Sequence, residues 1–431
     1  MSVYDLDDPS IFEYMQKLSM DGIRLFAEYW KIYVNAYQKL SFVDYFDKVY
    51  DAWLYITDIE FDKQLRTERF IKTLNEYVEN SIELHKAMER MGYPVSLIND
   101  LIDQYLRGIM VFSNIPVRPY HTAHEIVRRK DDTRLLRYKS SSKYKTPLLI
   151  VYAPVNRYHI MDLNDERSIV KCFVRGEFDV FLLDWGEQRN NNLTISDYVN
   201  YIDESVREIK RLTGSDKVSL FGYCWGGVLS IIYAAIHKEN IKNLIVQAAP
   251  VDFDKDNSIL ADWARRFPVD KFVDEFKEMD GHILDVGFLM RNPVKYGFDK
   301  YLKFMRKFDD PKFVESFIRV ERWLYDTPDI PGEFFRQFIK DLYQRNLLVQ
   351  NKMNLNGKAV NLKAIDMSLL NIVGVRDDLA PSASSTVLND IVSSKDKKLI
   401  EFPSGHVGLC VSTAAYANLW PQVVKWLRER S

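Results

Sequence analysis

The sequence predicts an α/β fold: a mostly parallel sheet with helices on both faces, a helical insertion, and a helical region in front. Three observations carry this. From about residue 133, short and almost wholly apolar runs alternate with helical patterns, as strands buried on both faces require. Residues 252 to about 346 interrupt that alternation with mainly helical sequence rich in Phe, Trp and Arg. Residues 11 to about 112 show long polar–apolar periodicity with few glycines and a single proline, Pro94.

The candidate strands are Leu135–Tyr138, Leu148–Ala153, Val180–Asp184, Val218–Gly222, Leu244–Ala248, Leu369–Val373 and Lys398–Phe402. Helical segments are expected around 166–175, 195–213, 226–238 and 411–429. In the leading region, Gly92-Tyr93-Pro94 breaks one helical stretch and Ser96 is placed to cap the next. Ile115-Pro116-Val117-Arg118-Pro119 marks a boundary, so the expected domains are a helical region 1–117 and a catalytic domain 118–431. The insertion at about 252–346 is expected to form a cap over the sheet.

At 431 residues the chain can bury a large core. A hydrophobic content of 47% and a charged content of 28% are those of an ordinary globular protein. A net charge of −2 gives no reason to expect nucleic acid as a partner. The start, Met1 to Ser10, is acidic and polar and has no secretory pattern. The apolar runs, such as Pro147 to Val155, are too short to span a bilayer. Cys172, Cys224 and Cys410 form no disulfide framework and no metal-ligand spacing, so neither a metal nor another cofactor is expected. A reducing cytoplasm suits them.

Chemistry concentrates at Gly222-Tyr223-Cys224-Trp225-Gly226-Gly227, which follows an apolar strand and opens a helix. The spacing is that of the nucleophile elbow of α/β-hydrolases. Small residues two before and two after the nucleophile let strand and helix approach closely around a strained turn. That turn aims the Cys224 sulfur out of the sheet edge, at a helix N-terminus that favours a thiolate. It also leaves the Trp225 N–H free to bind an oxyanion. Such folds supply nucleophile, acid and histidine in chain order. Asp377 and Asp378 both stand in the loop after Leu369–Val373, and either can orient an imidazole. His406, between Lys398–Phe402 and the last helix, is the candidate base. The loop Pro154-Val155-Asn156-Arg157 should provide the second oxyanion donor, from the Val155 or Asn156 backbone.

A cysteine nucleophile yields a thioester, which keeps its acyl-transfer potential and can pass its acyl group to an alcohol if water is excluded. A helical cap is one means of excluding it.

These motifs resemble those of polyhydroxyalkanoate synthases. The likeness rests on Gly222–Gly227 and on Leu148–Arg157, Leu183-Asp184-Trp185-Gly186, Ala249–Phe253, Trp323–Asp326, Pro331–Asp341 and Ser404–Gly408. It covers about residues 130–431 and is most similar to the class III type, whose short catalytic subunit works with a separate helical subunit. The resemblance implies that an (R)-3-hydroxyacyl-CoA acylates Cys224, that His406 activates it, and that Asp377 is the acid, implicated in activating the 3-hydroxyl that attacks the thioester. It also implies a polyester product and attachment to polyester granules. The family usually has His directly after that aspartate, where this chain has Asp378. Trp53–Asp58 through Met91–Ser96 faintly resembles the helical partner, so residues 1–117 are expected to supply that function in cis or to form a dimerisation arm. A dienelactone-hydrolase-like ester hydrolase also places cysteine in such an elbow but lacks a long cap. Here Asp377 lies 153 residues beyond Cys224.

Overall fold

The structure is a computed structural model and describes residues 122–138, 141–292 and 310–431, with 295, 296, 300, 304 and 307 between them. The helical region expected over 1–117 lies outside the described residues. The larger of the chain's two compact units comprises Val117–Arg291 and Glu315–Ser431.

Eight strands form its sheet: β1 (His124–Lys130), β2 (Thr133–Tyr138), β3 (Leu148–Val151), β4 (Val180–Asp184), β5 (Val218–Tyr223), β6 (Ile241–Gln247), β7 (Ser368–Gly374) and β8 (Lys397–Phe402). Their order in space is β1-β2-β4-β3-β5-β6-β7-β8. β2 runs antiparallel to both neighbours, and the pairs from β4 to β8 are parallel. This is the α/β-hydrolase arrangement expected from the sequence. Every residue of β3, β4 and β5 is buried, which is why those segments read as unbroken apolar runs.

Helix α1 (Ile169–Arg175) follows β3, α2 (Ile195–Thr213) follows β4, and α3 (Trp225–Ile236) follows β5. The sequence dictates both ends of α2. Thr194 and Asp197 form a reciprocal capping box, and Gly214, at φ 69°, turns the chain out in the left-handed region. Its buried stripe of Ile195, Tyr198, Val199, Ile202, Val206 and Ile209 has the helical period.

Two expectations differ from the outcome. The segment 411–429 is not one helix. It breaks at Ser412, passes through a π-helical turn at Ala415–Leu419 and resumes as α4 (Trp420–Arg428). Ser412 caps the restart by accepting the Ala415 N–H at 3.1 Å, and Pro421 has no N–H for an ordinary helical bond. Strand β1 was not expected, because its charged, partly exposed sequence pairs only through β2.

A buried polar knot fixes the middle of the sheet. Asp184, 3% exposed, accepts from Arg134 Nε at 2.7 Å, the Tyr152 hydroxyl at 3.0 Å and the Gly186 N–H at 3.2 Å. Gly186 has φ 68°, and a Cβ there would stand 2.1 Å from the Asp132 carbonyl oxygen, so no other residue fits. Replacing Asp184 with Ala should cost about 3 kcal/mol by stranding these donors. The expected readout is a lower urea midpoint at unchanged m-value.

Candidate active site

The site stands at the carboxyl ends of the parallel strands, where loops from neighbouring strands converge. Cys224 lies between β5 and α3 with φ 55° and ψ −129°, a strained conformation for a residue with a side chain. Its N–H donates to the Gln247 carbonyl at 2.9 Å, and its carbonyl accepts the Val228 N–H at 3.1 Å.

The glycines of the elbow are dictated by space. A Cβ on Gly222 would lie 2.6 Å from the Gly227 Cα, and one on Gly227 would lie 2.6 Å from the Ala249 Cβ. One on Gly226 would lie 2.3 Å from the Tyr152 carbonyl oxygen and 2.5 Å from that of Val151. The first turn of α3 is thus seated directly on the end of β3. Its first N–H groups, Trp225 among them, have no acceptor within the helix.

β7 and β8 pair in register up to Gly374 and Phe402. Beyond that, Val375 N–H donates to Phe402 O at 2.8 Å and Arg376 N–H to Ser404 O at 3.0 Å, clipping the two loops together. This brings Asp377 to His406, with Nδ1 2.8 Å from Oδ2. The other Asp377 oxygen accepts the N–H groups of Leu379 at 2.9 Å and Ala380 at 2.8 Å. The His406 ring lies within electrostatic reach of Cys224, and the Tyr223 ring packs on it at 5.1 Å. Asp378, the alternative acid, instead pairs with Arg291 at 3.6 Å. The structure therefore assembles Cys224, His406 and Asp377 and leaves Asp378 aside.

Of the two loop donors, the Asn156 N–H is occupied by the Ala153 carbonyl at 3.2 Å. The Val155 N–H has no backbone acceptor among the described residues. Arg157 ties this loop to the cap: its carbonyl accepts the Trp323 indole N–H at 2.8 Å, and its guanidinium meets Asp326 at 3.3 Å and Glu187 at 3.0 Å.

Sequence reasoning missed the wall beside the nucleophile. Trp225 stacks on Phe338 at 3.7 Å and meets Phe334 edge-on at 6.1 Å. Phe253 closes on Tyr343 at 4.7 Å and on Phe338 at 6.3 Å. The Tyr343 hydroxyl lies within electrostatic reach of Cys224. Only the richness of the insertion in aromatic residues hinted at this. Cys410 was also missed as a neighbour. Gln247 Nε2 donates to its sulfur at 3.1 Å, and burial pushes its thiol up to about 12.

The sequence carries family marks over the same region. A model described as alpha/beta hydrolase fold matches residues 159–412. One described as the N-terminus of poly-beta-hydroxybutyrate polymerase (PhaC) matches residues 118–173. The poly(3-hydroxyalkanoate) polymerase subunit PhaC of Thiocystis violacea is 38% identical over 313 residues, 71% of this chain and 88% of that protein. The chain belongs to the poly(3-hydroxyalkanoate) polymerase family.

Other polymerase subunits of the family diverge in length. That of Haloferax mediterranei is 40% identical over 72% of this chain, which spans only 64% of it. That of a Synechocystis strain is 33% identical over 77% of this chain and 92% of its own length. These polymerases are enzymes of the acyltransferase type.

Electrostatics favour a charged imidazole. Burial alone lowers the His406 pKa, but the Asp377 charge, then Cys224, outweigh it and raise the value from 6.5 to about 10. A folded value above the unfolded one stabilises the protein fully below pH 6.5 and is lost as pH rises through about 10. The stability gap between wild type and His406→Gln should therefore narrow across that interval in urea unfolding. A gap that stays flat there would contradict the assignment. Gly226→Ala should cost about 1–3 kcal/mol, because backbone carbonyls must give way. The expected sign is a lower Tm.

Proposed function

We propose that this protein polymerises (R)-3-hydroxyacyl-CoA, 3-hydroxybutyryl-CoA foremost, into polyhydroxyalkanoate with release of CoA. The observation that carries the reading is a cysteine at the elbow, within electrostatic reach of a buried His406–Asp377 pair, in a chain of this family.

In the first step the Cys224 sulfur attacks the acyl-CoA carbonyl carbon, and His406 holds the thiol proton. The oxyanion that forms faces the Trp225 and Val155 N–H groups. As the tetrahedral centre collapses, the carbon–sulfur bond to CoA breaks and His406 returns the proton to the departing CoA thiolate. Asp377 keeps the imidazole oriented and offsets its charge throughout. In the second step the 3-hydroxyl of another acyl group attacks the acyl-Cys224 thioester and gives its proton to His406. An ester bond forms, and Cys224 is released to accept the next unit. A thioester replaces a thioester in the first step, so little energy is lost before the ester is made. No cofactor is required beyond the CoA thioester itself.

The relatives are named as polymerase subunits, which supports a partner for this chain; on the family resemblance it is a helical subunit, supplied separately or by residues 1–117, or a second copy in a homodimer. The apolar product places the enzyme at the surface of cytoplasmic polyester granules. No helix of the described residues is long and apolar enough to cross a membrane.

The test is incubation with (R)-3-hydroxybutyryl-CoA, following free thiol, insoluble polyester and the intact mass of the protein. An acyl adduct on Cys224 and about one CoA released per unit polymerised are expected. Cys224→Ala should lower CoA release by about 10³-fold or more. Free hydroxybutyrate without polymer would favour the ester hydrolase and sink the polymerase reading.

A further inference from the structure

The carboxyl of Asp256 is a second acidic group beside the site, and the chemistry above makes no use of it. Asp256 ends the short turn Phe253–Lys255 and is only 1% exposed. One of its oxygens accepts the Ser258 N–H at 2.9 Å. The other, Oδ2, is buried and has no hydrogen-bond partner. The neighbouring Arg265 directs its guanidinium elsewhere, to Asp262 Oδ1 at 2.7 Å and to the carbonyls of Phe253 and Asp256.

The electrostatic influence of Asp256 reaches Asp377 and Tyr343, the latter a member of the aromatic wall. The Phe253 ring, three residues before it, belongs to the aromatic wall. Burial holds its carboxyl above the ordinary range, against the opposing bonds from Ser258. A buried acceptor left bare at the edge of an apolar wall is costly, and that cost is relieved by a ligand that brings a donor. Acyl groups of the class proposed above differ from ordinary fatty acyl groups by one such donor, the hydroxyl three carbons from the thioester.

We propose that Asp256 Oδ2 accepts a hydrogen bond from the 3-hydroxyl of the acyl group entering on Cys224, so that Asp256 selects hydroxyacyl over plain acyl substrates. The inference rests on the polymerase reading. Asp256 takes no proton in it; it positions the chain, and proton transfer remains with His406.

The test compares the first turnover of the full-length enzyme with (R)-3-hydroxybutyryl-CoA and with butyryl-CoA, read as CoA release and as acyl adduct on Cys224. Wild type should prefer the hydroxylated substrate. Asp256→Ala should reduce acylation by (R)-3-hydroxybutyryl-CoA at least about tenfold and leave butyryl-CoA within about twofold, because only the first loses a partner. Asp256→Asn, which keeps an acceptor toward Ser258, should show the same direction with a Tm near that of wild type. An equal fall with both substrates, loss of folded protein in both variants, or no change with either substrate overturns the proposal. Failure of wild type to acylate Cys224 with either substrate is a separate result and removes the polymerase reading itself.

Discussion

The carbonyl of Tyr152 is the point on which the site is hung. On one side it accepts the Trp185 indole N–H at 2.8 Å; on the other it lies where any side chain on Gly226 would have to be. The Tyr152 hydroxyl in turn accepts the Trp185 backbone N–H at 3.1 Å and donates to Asp184. Three motifs far apart in sequence therefore form one mechanical unit: Leu183–Gly186, the end of β3, and the glycine elbow. Because β3 and α3 meet with no side chain between them, the distance from the Trp225 N–H to the loop carrying Val155 is set by backbone contact. Backbone contact is stiffer than side-chain packing. The strain at Cys224 can persist only because both flanking elements are so constrained.

Given that frame, electrostatics decides what the sulfur can do. Asp377 offers one oxygen to His406 and has the other held by two N–H groups, so its charge cannot swing away. A buried imidazole beside a fixed carboxylate is an easily formed cation, and it lies within electrostatic reach of Cys224. The thiol of Cys410, also buried nearby, is pushed up by burial.

Local features of the site were legible in the sequence, and pairings across long separations were not. The elbow could be read because Gly222, Gly226 and Gly227 satisfy a spacing requirement within six residues. Both ends of α2 could be read from Thr194, Asp197 and Gly214. The choice between Asp377 and Asp378 was beyond pattern alone, since it depends on how the loop after β7 is clipped to the loop after β8. The split of the last helix was signalled by Ser412 and Pro421, but a long apolar periodicity masked both. The expected donor Asn156 fails for a local reason, a turn that uses its N–H on Ala153. The aromatic wall was hidden because Phe338 meets Trp225 across more than a hundred residues.

That wall also depends on a backbone irregularity. Residues Phe338–Gln344 are π-helical, so each N–H reaches back five residues, and side chains five apart approach a common face. In an α-helix Phe338 and Tyr343 would point well apart. Here their rings lie 6.4 Å from each other, and both serve the region of the nucleophile. Phe338 covers the Trp225 ring, and Tyr343 lies within electrostatic reach of Cys224. The same cap reaches the oxyanion loop through Trp323 and Asp326 on Arg157. A segment inserted between two strands thus touches the nucleophile's neighbour on one side and the oxyanion loop on the other. On the chemistry proposed above, a thioester on Cys224 has to outlast its exposure to water until an alcohol arrives, and a cover of this kind meets that requirement.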